Sequence, residues 1–203
     1  MEGNAEATAA FFETGENDLA ALLAAIASVL GRDVRPTCAL DFGCGVGRLT
    51  LPLARRARRV VACDVAPTML AHARQNAEDA GLRNITFMSG EGLGELAPEF
   101  DFICSLLVFE YIPAAGGYDI LRALMALLAP GGIAAIQVVF RRRLARLLRA
   151  RSRPPHRPQS DINRYDEDVF RDSIEAGGAQ VVARLPTSRG GATGAVMIIV
   201  KPL

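Results

Sequence analysis

Lysine is nearly absent from this chain. Lys201 is the sole example, so arginine carries almost all of the positive charge, a bias of the kind genome composition produces. The net charge is only +1, which removes any global electrostatic argument for a nucleic-acid or membrane partner. Cysteine is sparse, and Cys38, Cys44, Cys63 and Cys104 show no C-x-x-C pair. Three of the four lie in apolar runs, the pattern of buried reduced thiols in a cytosolic protein. No stretch approaches the roughly 18 apolar residues of a membrane span. No basic residue precedes Arg32, whereas Glu2, Glu6, Glu13, Glu16 and Asp18 do. That order is wrong for a secretory signal, and the expected compartment is the cytoplasm.

What is present reads as one globular domain over 1–203, since a chain of 203 residues with half of them hydrophobic can bury a core of its own. There is no internal repeat. Short apolar runs alternate with helical patterns instead. Leu19, Leu22, Leu23, Ile26, Val29 and Leu30 recur at helical spacing, with Asn17 or Asp18 as the expected cap and Gly31 as the expected stop. Strands are expected at 38–42, 59–64, 85–89, 101–107 and 133–139, with helices near 48–58, 67–80 and 118–129 between them. Such alternation, with strands apolar on both faces, predicts a Rossmann-like parallel sheet covered by helices on both sides. The rhythm breaks over an arginine-rich segment at 140–160 and resumes with a helix near 166–177 and strands at 180–185 and 195–200. The loop joining the last two strands is too short for a parallel crossover, so they pair antiparallel. The expected parts are thus a helical cap (1–36), a ligand-binding core (37–139), the insertion (140–160), and a final helix with two strands (161–203).

The stretch "DFGCGVGRLT" at 41–50 follows the first strand. Gly43, Gly45 and Gly47 allow positive φ and close approach of a ligand to the main chain, and a helix start beyond them favours a negative group. The spacing is not that of a P-loop, which needs G-x-x-x-x-G-K-[ST]. It also differs from G-x-G-x-x-G, whose third glycine comes one position later. An acid two residues ahead, Asp41, suits a ligand ammonium, and backbone N–H groups suit its carboxylate. Asp64 ends the second strand, where a carboxylate accepts from ribose hydroxyls. Together they describe a pocket for an amino acid joined to a nucleoside, which is S-adenosylmethionine.

The segments "LDFGCGVGRLT", "VVACDVAPTML", "FMSGEGL", "FDFICSLLVFEYIP" and "LLAPGGIAAIQ" resemble, in order and spacing, the motifs of the class I S-adenosylmethionine-dependent methyltransferases. The resemblance implies a seven-stranded, mostly parallel sheet whose final strand inserts antiparallel. It implies an enzyme that moves a methyl group from S-adenosyl-L-methionine to an O, N or C nucleophile of a small molecule. The alternative is a catalytically silent cofactor-binding protein with a regulatory or scaffold role. On the family pattern Asp41, Gly43, Cys44, Gly45 and Gly47 surround the methionine end. Asp64 takes the ribose, and Val65 and Met69 face adenine. Glu91 meets the adenine amino group, with Gly90, Gly92 and Leu93 continuing that wall and Ser105 and Leu106 opposite. For Val65, Met69 and Leu106 the competing reading is ordinary core packing.

"FEYIP" at 109–113 resembles the family's L-E-H-[IV]-P form, with Tyr111 in place of histidine. Glu110 and Tyr111 are therefore the candidate catalytic pair, orienting the substrate more than deprotonating it, since tyrosine is a weak base at neutral pH. No N-P-P-Y or D-P-P-Y is present, no acid pair is placed for magnesium, and no double-glutamate loop occurs. These absences leave a small molecule as acceptor and no metal site. The run 141–159 holds eight arginines and no acid. It reads as a solvated lid helix or as a contact for an anionic lipid or anionic substrate. Nucleic acid is disfavoured because no aromatics interleave for stacking. Phe11 and Phe12 either close over the cofactor or staple the first helix.

Overall fold

The computed structural model describes residues 2–97, 99–141, 162–187 and 193–203. Seven strands form one sheet: β1 (Cys38–Phe42), β2 (Arg59–Asp64), β3 (Ile85–Ser89), β4 (Phe100–Ser105), β5 (Leu128–Val139), β6 (Gln180–Pro186) and β7 (Gly194–Val200). Their order is β3-β2-β1-β4-β5-β7-β6. β1 to β5 run parallel, and β7 enters antiparallel between β5 and β6. The five inner strands are apolar on both faces because both faces are covered, while the edge strands β3 and β6 stay partly exposed. Leu40, Phe42, Val61, Ile103, Ala134 and Met197 face α4 (Ala114–Leu127) and α5 (Glu167–Ala176). Their neighbours in the alternation, Ala39, Val60, Phe102, Cys104, Ala135 and Ile198, face α1 (Glu2–Leu30) and α2 (Thr50–Ala54). α3 (Pro67–Asp79) sets Leu70 against Ala62 on this second face.

Two helices depart from the sequence expectation. α1 starts at Glu2 rather than near Asn17, because the alanine-rich stretch ahead of Gly15 has high helix propensity. Asn17 and Asp18 therefore lie inside the helix and do not cap it. α2 spans only five residues, all buried. The chain from Gly47 to Leu49 instead turns tightly into it, Gly47 N–H donating to the Cys44 carbonyl at 2.9 Å and Leu51 N–H to the Gly47 carbonyl at 3.0 Å. Gly31, at φ 66, ends α1 as expected.

Residues 142–161, which take in most of the 140–160 insertion and the expected lid helix, lie outside the described residues. The insertion's flanks are hydrogen-bonded to each other. Arg141 N–H donates to the Tyr165 carbonyl and Tyr165 N–H to the Val139 carbonyl, both at 2.9 Å. The insertion thus leaves and rejoins the fold at one place, beside the end of β5. Among the described residues no helix is long and apolar enough to cross a membrane.

Candidate active site

β1 has β2 on one side and β4 on the other, so the strand order reverses between β1 and β4. Ligands of open α/β sheets bind at the carboxyl ends of strands beside such a reversal. The glycine loop lies there. Gly43, Gly45 and Gly47 all adopt positive φ, at 77, 53 and 95°. At Gly43 glycine is needed twice over, because a Cβ would also overlap the side chain of Val108. Gly43 and Cys44 N–H both donate to the Cys63 carbonyl, at 2.8 and 3.0 Å, which ties the loop to the end of β2.

The half-buried Asp64 completes that tie. One carboxylate oxygen accepts from Gly45 N–H and the other from Ala66 N–H, each at 2.9 Å. A carboxylate offers about four acceptor sites, so capacity for ligand hydroxyls remains. Just beyond it Val65 is 77% exposed and Met69 41% exposed. Core packing is therefore ruled out for both. Leu106 is different: it is half-buried and packs against the α1–α2 core.

Asp41 is buried, and its side chain turns toward α2. Thr50 Oγ1 donates to one carboxylate oxygen at 2.6 Å, and Cys104 Sγ lies 3.6 Å from the other. Burial pushes the Asp41 carboxyl up to about 6, outweighing the hydrogen bonds that favour its charge. Burial also raises the thiols of Cys44 and Cys104, and pushes that of Cys63 up to about 12. These cysteines are not thiolate nucleophiles.

After β3 the chain makes a 3-10 turn over Gly90–Glu95, opened by Ser89 Oγ accepting from Glu91 N–H at 3.3 Å. Glu91 is exposed, Gly90 and Gly92 half-buried, and Leu93 faces the core. At the end of β4 the Ser105 hydroxyl is buried with no hydrogen-bond partner among the described residues. Two residues on, Leu107 has φ 64, the one non-glycine residue there with positive φ. An unpartnered hydroxyl beside a strained backbone is the kind of feature that collects at functional sites.

Glu110 and Tyr111 follow in a 3-10 turn over Phe109–Tyr111. Phe109 anchors it in the core against Phe42, Tyr165 and Phe170. The Glu110 carbonyl accepts from Asn163 N–H at 2.7 Å and from its side-chain amide at 3.2 Å. Glu110 is buried, while Tyr111 is 68% exposed. So the structure places Tyr111 toward solvent and Glu110 inward.

Several supporting residues escaped the sequence reading. Thr50 holds Asp41, and Val108 backs Gly43. The Asn76 amide holds the Val46 carbonyl at 2.9 Å, and Arg48 reaches Asp18 at 2.6 Å. Only Thr50 had a local signal, as a small hydroxyl at the start of the helix after the glycines. A separate groove of about 450 Å³, lined by Thr37, Arg58, Arg59 and Arg83, sits at the amino ends of β1–β3. It is at the far end of the sheet from the glycine loop. Among the described residues no three His, Cys, Asp or Glu side chains are grouped to hold a metal ion.

A Rossmann-like sheet with this glycine loop defines a protein for a nucleoside-bearing ligand. Comparison with known proteins narrows the class. Residues 39–132 match the family described as "Methyltransferase domain". A ubiquinone biosynthesis O-methyltransferase from Methylocella silvestris is 39% identical over 95 residues, covering 46% of this chain and 36% of that protein. The chain thus covers little more than a third of that relative's length. Magnesium protoporphyrin IX methyltransferase from Synechocystis, solved with bound S-adenosylhomocysteine, superposes with a TM-score of 0.69 at 19% identity, over 95% of this chain and 84% of that one. The N-methyltransferase NodS from Bradyrhizobium japonicum gives 0.65 at 18% identity, over 95% and 88%. The family match spans β1 to the start of β5, and the fold of the whole sheet is that of these methyltransferases of known structure.

Proposed function

We propose that the protein binds S-adenosylmethionine at the 41–47 loop and methylates a small-molecule acceptor, an oxygen nucleophile foremost. The observation that carries this is the exposed apolar wall of Val65 and Met69, set directly beyond the Asp64 carboxylate. Two further features fit the ligand. Asp41 is an acid whose charge burial opposes, so a ligand cation nearby stabilises it. The Ser105 hydroxyl lacks a partner among the described residues. Oxygen as the acceptor atom is supported by the name of the curated relative.

When bound, the cofactor supplies an electrophilic methyl on a sulfonium. Asp41, the 43–47 loop and Asp64 would hold the cofactor, and the acceptor would take that methyl at its oxygen with its proton passing to solvent. The protein's part is to hold the two in line, which accounts for much of such catalysis without a strong base. Tyr111, exposed on its anchored turn, is proposed to meet the acceptor, and Glu110 to set that turn. The acceptor or an anionic lipid is proposed to meet the arginines of 141–159, supported by their charge alone. The free thiols support a reducing compartment, the cytoplasm.

Calorimetric titration with S-adenosylmethionine, S-adenosylhomocysteine and NAD tests the cofactor. Binding of NAD alone overturns the reading. A panel of phenols, carboxylates and amines with labelled cofactor tests the reaction. Tight cofactor binding with no labelled product from any of them moves the protein to a regulatory role. Flotation with anionic vesicles at low and high salt separates lipid from acceptor as the partner of 141–159.

A further inference from the structure

The middle of α1 is built around one residue of the cofactor loop. Gly15 is buried, and a Cβ there would lie inside contact distance of the Arg48 carbonyl oxygen and 2.9 Å from the Arg48 Cγ. Glycine inside a helix costs about 0.5–1 kcal/mol relative to alanine; here it lets the helix touch the main chain of residue 48. One turn on, Asp18 takes the Arg48 guanidinium at 2.6 Å, and the same nitrogen lies 3.4 Å from Thr14 Oγ1. The Arg48 side chain is left 15% exposed. Between these residues Glu16 pairs with Arg55 at 3.3 Å and with Arg56, both just past α2. Burden falls on the backbone contact and the Arg48–Asp18 pair, because the more exposed Glu16 pairs contribute little alone.

Arg48 directly follows Gly47 and precedes, by two residues, the Thr50 that holds Asp41. No flexible residue separates the α1 contact from the loop. Beyond Gly15 toward the amino end the cover stops: residues 6–11 are exposed, Phe11 by 44%. Toward the carboxyl end Leu19, Leu22 and Ile26 pack on the sheet.

We infer that α1 and the glycine loop are one coupled unit, with Arg48 as the positioning residue: α1 docked at Gly15 and Asp18 holds the loop in its cofactor-binding shape, so whatever displaces α1 lowers cofactor affinity. This rests on the reading that the loop binds S-adenosylmethionine. Coupling between two equilibria is reciprocal, so cofactor must also tighten α1.

Hydrogen exchange of the full chain with and without S-adenosylhomocysteine measures the reverse direction. The expected result is slower exchange in 43–50 and, by about tenfold, in 16–22. Affinity measures the forward direction. Gly15→Ala should weaken S-adenosylhomocysteine by about tenfold although alanine is the better helix former. Asp18→Asn should weaken it a few-fold, in a salt-sensitive way. Ala20→Gly, which lowers propensity on an exposed face of the same helix, should leave affinity within about twofold. Protection confined to 43–50, or Gly15→Ala binding like the natural protein, overturns the coupling while leaving the cofactor assignment standing. No protection of 43–50 by S-adenosylhomocysteine overturns that assignment and the coupling with it.

Discussion

Asp41 shows what a single side chain contributes to this site. Its carboxyl sits near 6, above the usual 3.8, because burial outweighs the help of Thr50 and Cys104. A folded-state value raised above the unfolded one means the group favours the fold fully below about pH 4. That contribution disappears as pH rises through 6. The difference corresponds to about 3 kcal/mol at neutral pH, as an upper bound. Asp41→Asn, which keeps an acceptor for Thr50, should therefore make the ligand-free protein more stable than the natural one at pH 7–8. The gap should close near pH 4, as read by urea unfolding across that range. The same variant should bind S-adenosylhomocysteine less tightly, the trade expected where a site residue is held against its own stability. A variant no more stable at pH 8 would mean that Asp41 is not opposed by burial. Asp64 works differently, as the common acceptor for Gly45 and Ala66 N–H. Asp64→Ala leaves both donors to solvent or ligand and should weaken S-adenosylhomocysteine by about 1–3 kcal/mol in calorimetry.

At the scale of elements, the site is a set of strand ends locked to one another by the turns that follow them. The loop after β1 hangs on the end of β2 through Cys63 and Asp64. The turn after β4 hangs on Asn163 and on Tyr165, whose hydroxyl donates to the Ile112 carbonyl at 2.8 Å. Gly43 is where the first of these turns meets the second, since Val108 fills the space a side chain would take. Gly43→Ala should cost about 1–2 kcal/mol from its positive φ alone, with the overlap on Val108 added. Its signature should be loss of S-adenosylhomocysteine binding by more than about tenfold, together with a lower urea midpoint. Gly45→Ala, which meets no neighbouring atom within 4 Å, should carry only the φ cost, so the two variants separate conformation from crowding.

For the molecule as a whole, ligand and fold are linked through mass action. S-adenosylhomocysteine at about 100 times its dissociation constant should add about 2.7 kcal/mol. In a domain of this size that is a rise in Tm of about 5–10 °C, while NAD should leave the melt unchanged. No shift with S-adenosylhomocysteine, checked by scanning calorimetry, would remove the site from the 41–47 loop.

Much of this architecture is written locally in the chain. The strands at 38–42 and 59–64 match their apolar runs residue for residue, because a strand covered on both faces needs an unbroken run, and the edge strand at 85–89 matches its run as well although Thr86 and Ser89 are exposed. Antiparallel pairing of β6 with β7 follows from a connection too short to cross over. The glycines and the acids ending the strands mark the ligand end for the same reason: positive φ and a carboxylate at a strand terminus are properties of single residues. What acts across the fold has no such mark. Asp18 looks like a helix cap in sequence but pairs with Arg48, thirty residues away. Asp41 reads as a ligand contact in sequence, but its grip by Thr50 and the burial that opposes its charge do not show there. Gly15 carries no local signal until Arg48 is seen against it. Each of these depends on which groups the tertiary packing brings within 3 Å and removes from water. Sequence spacing carries neither quantity.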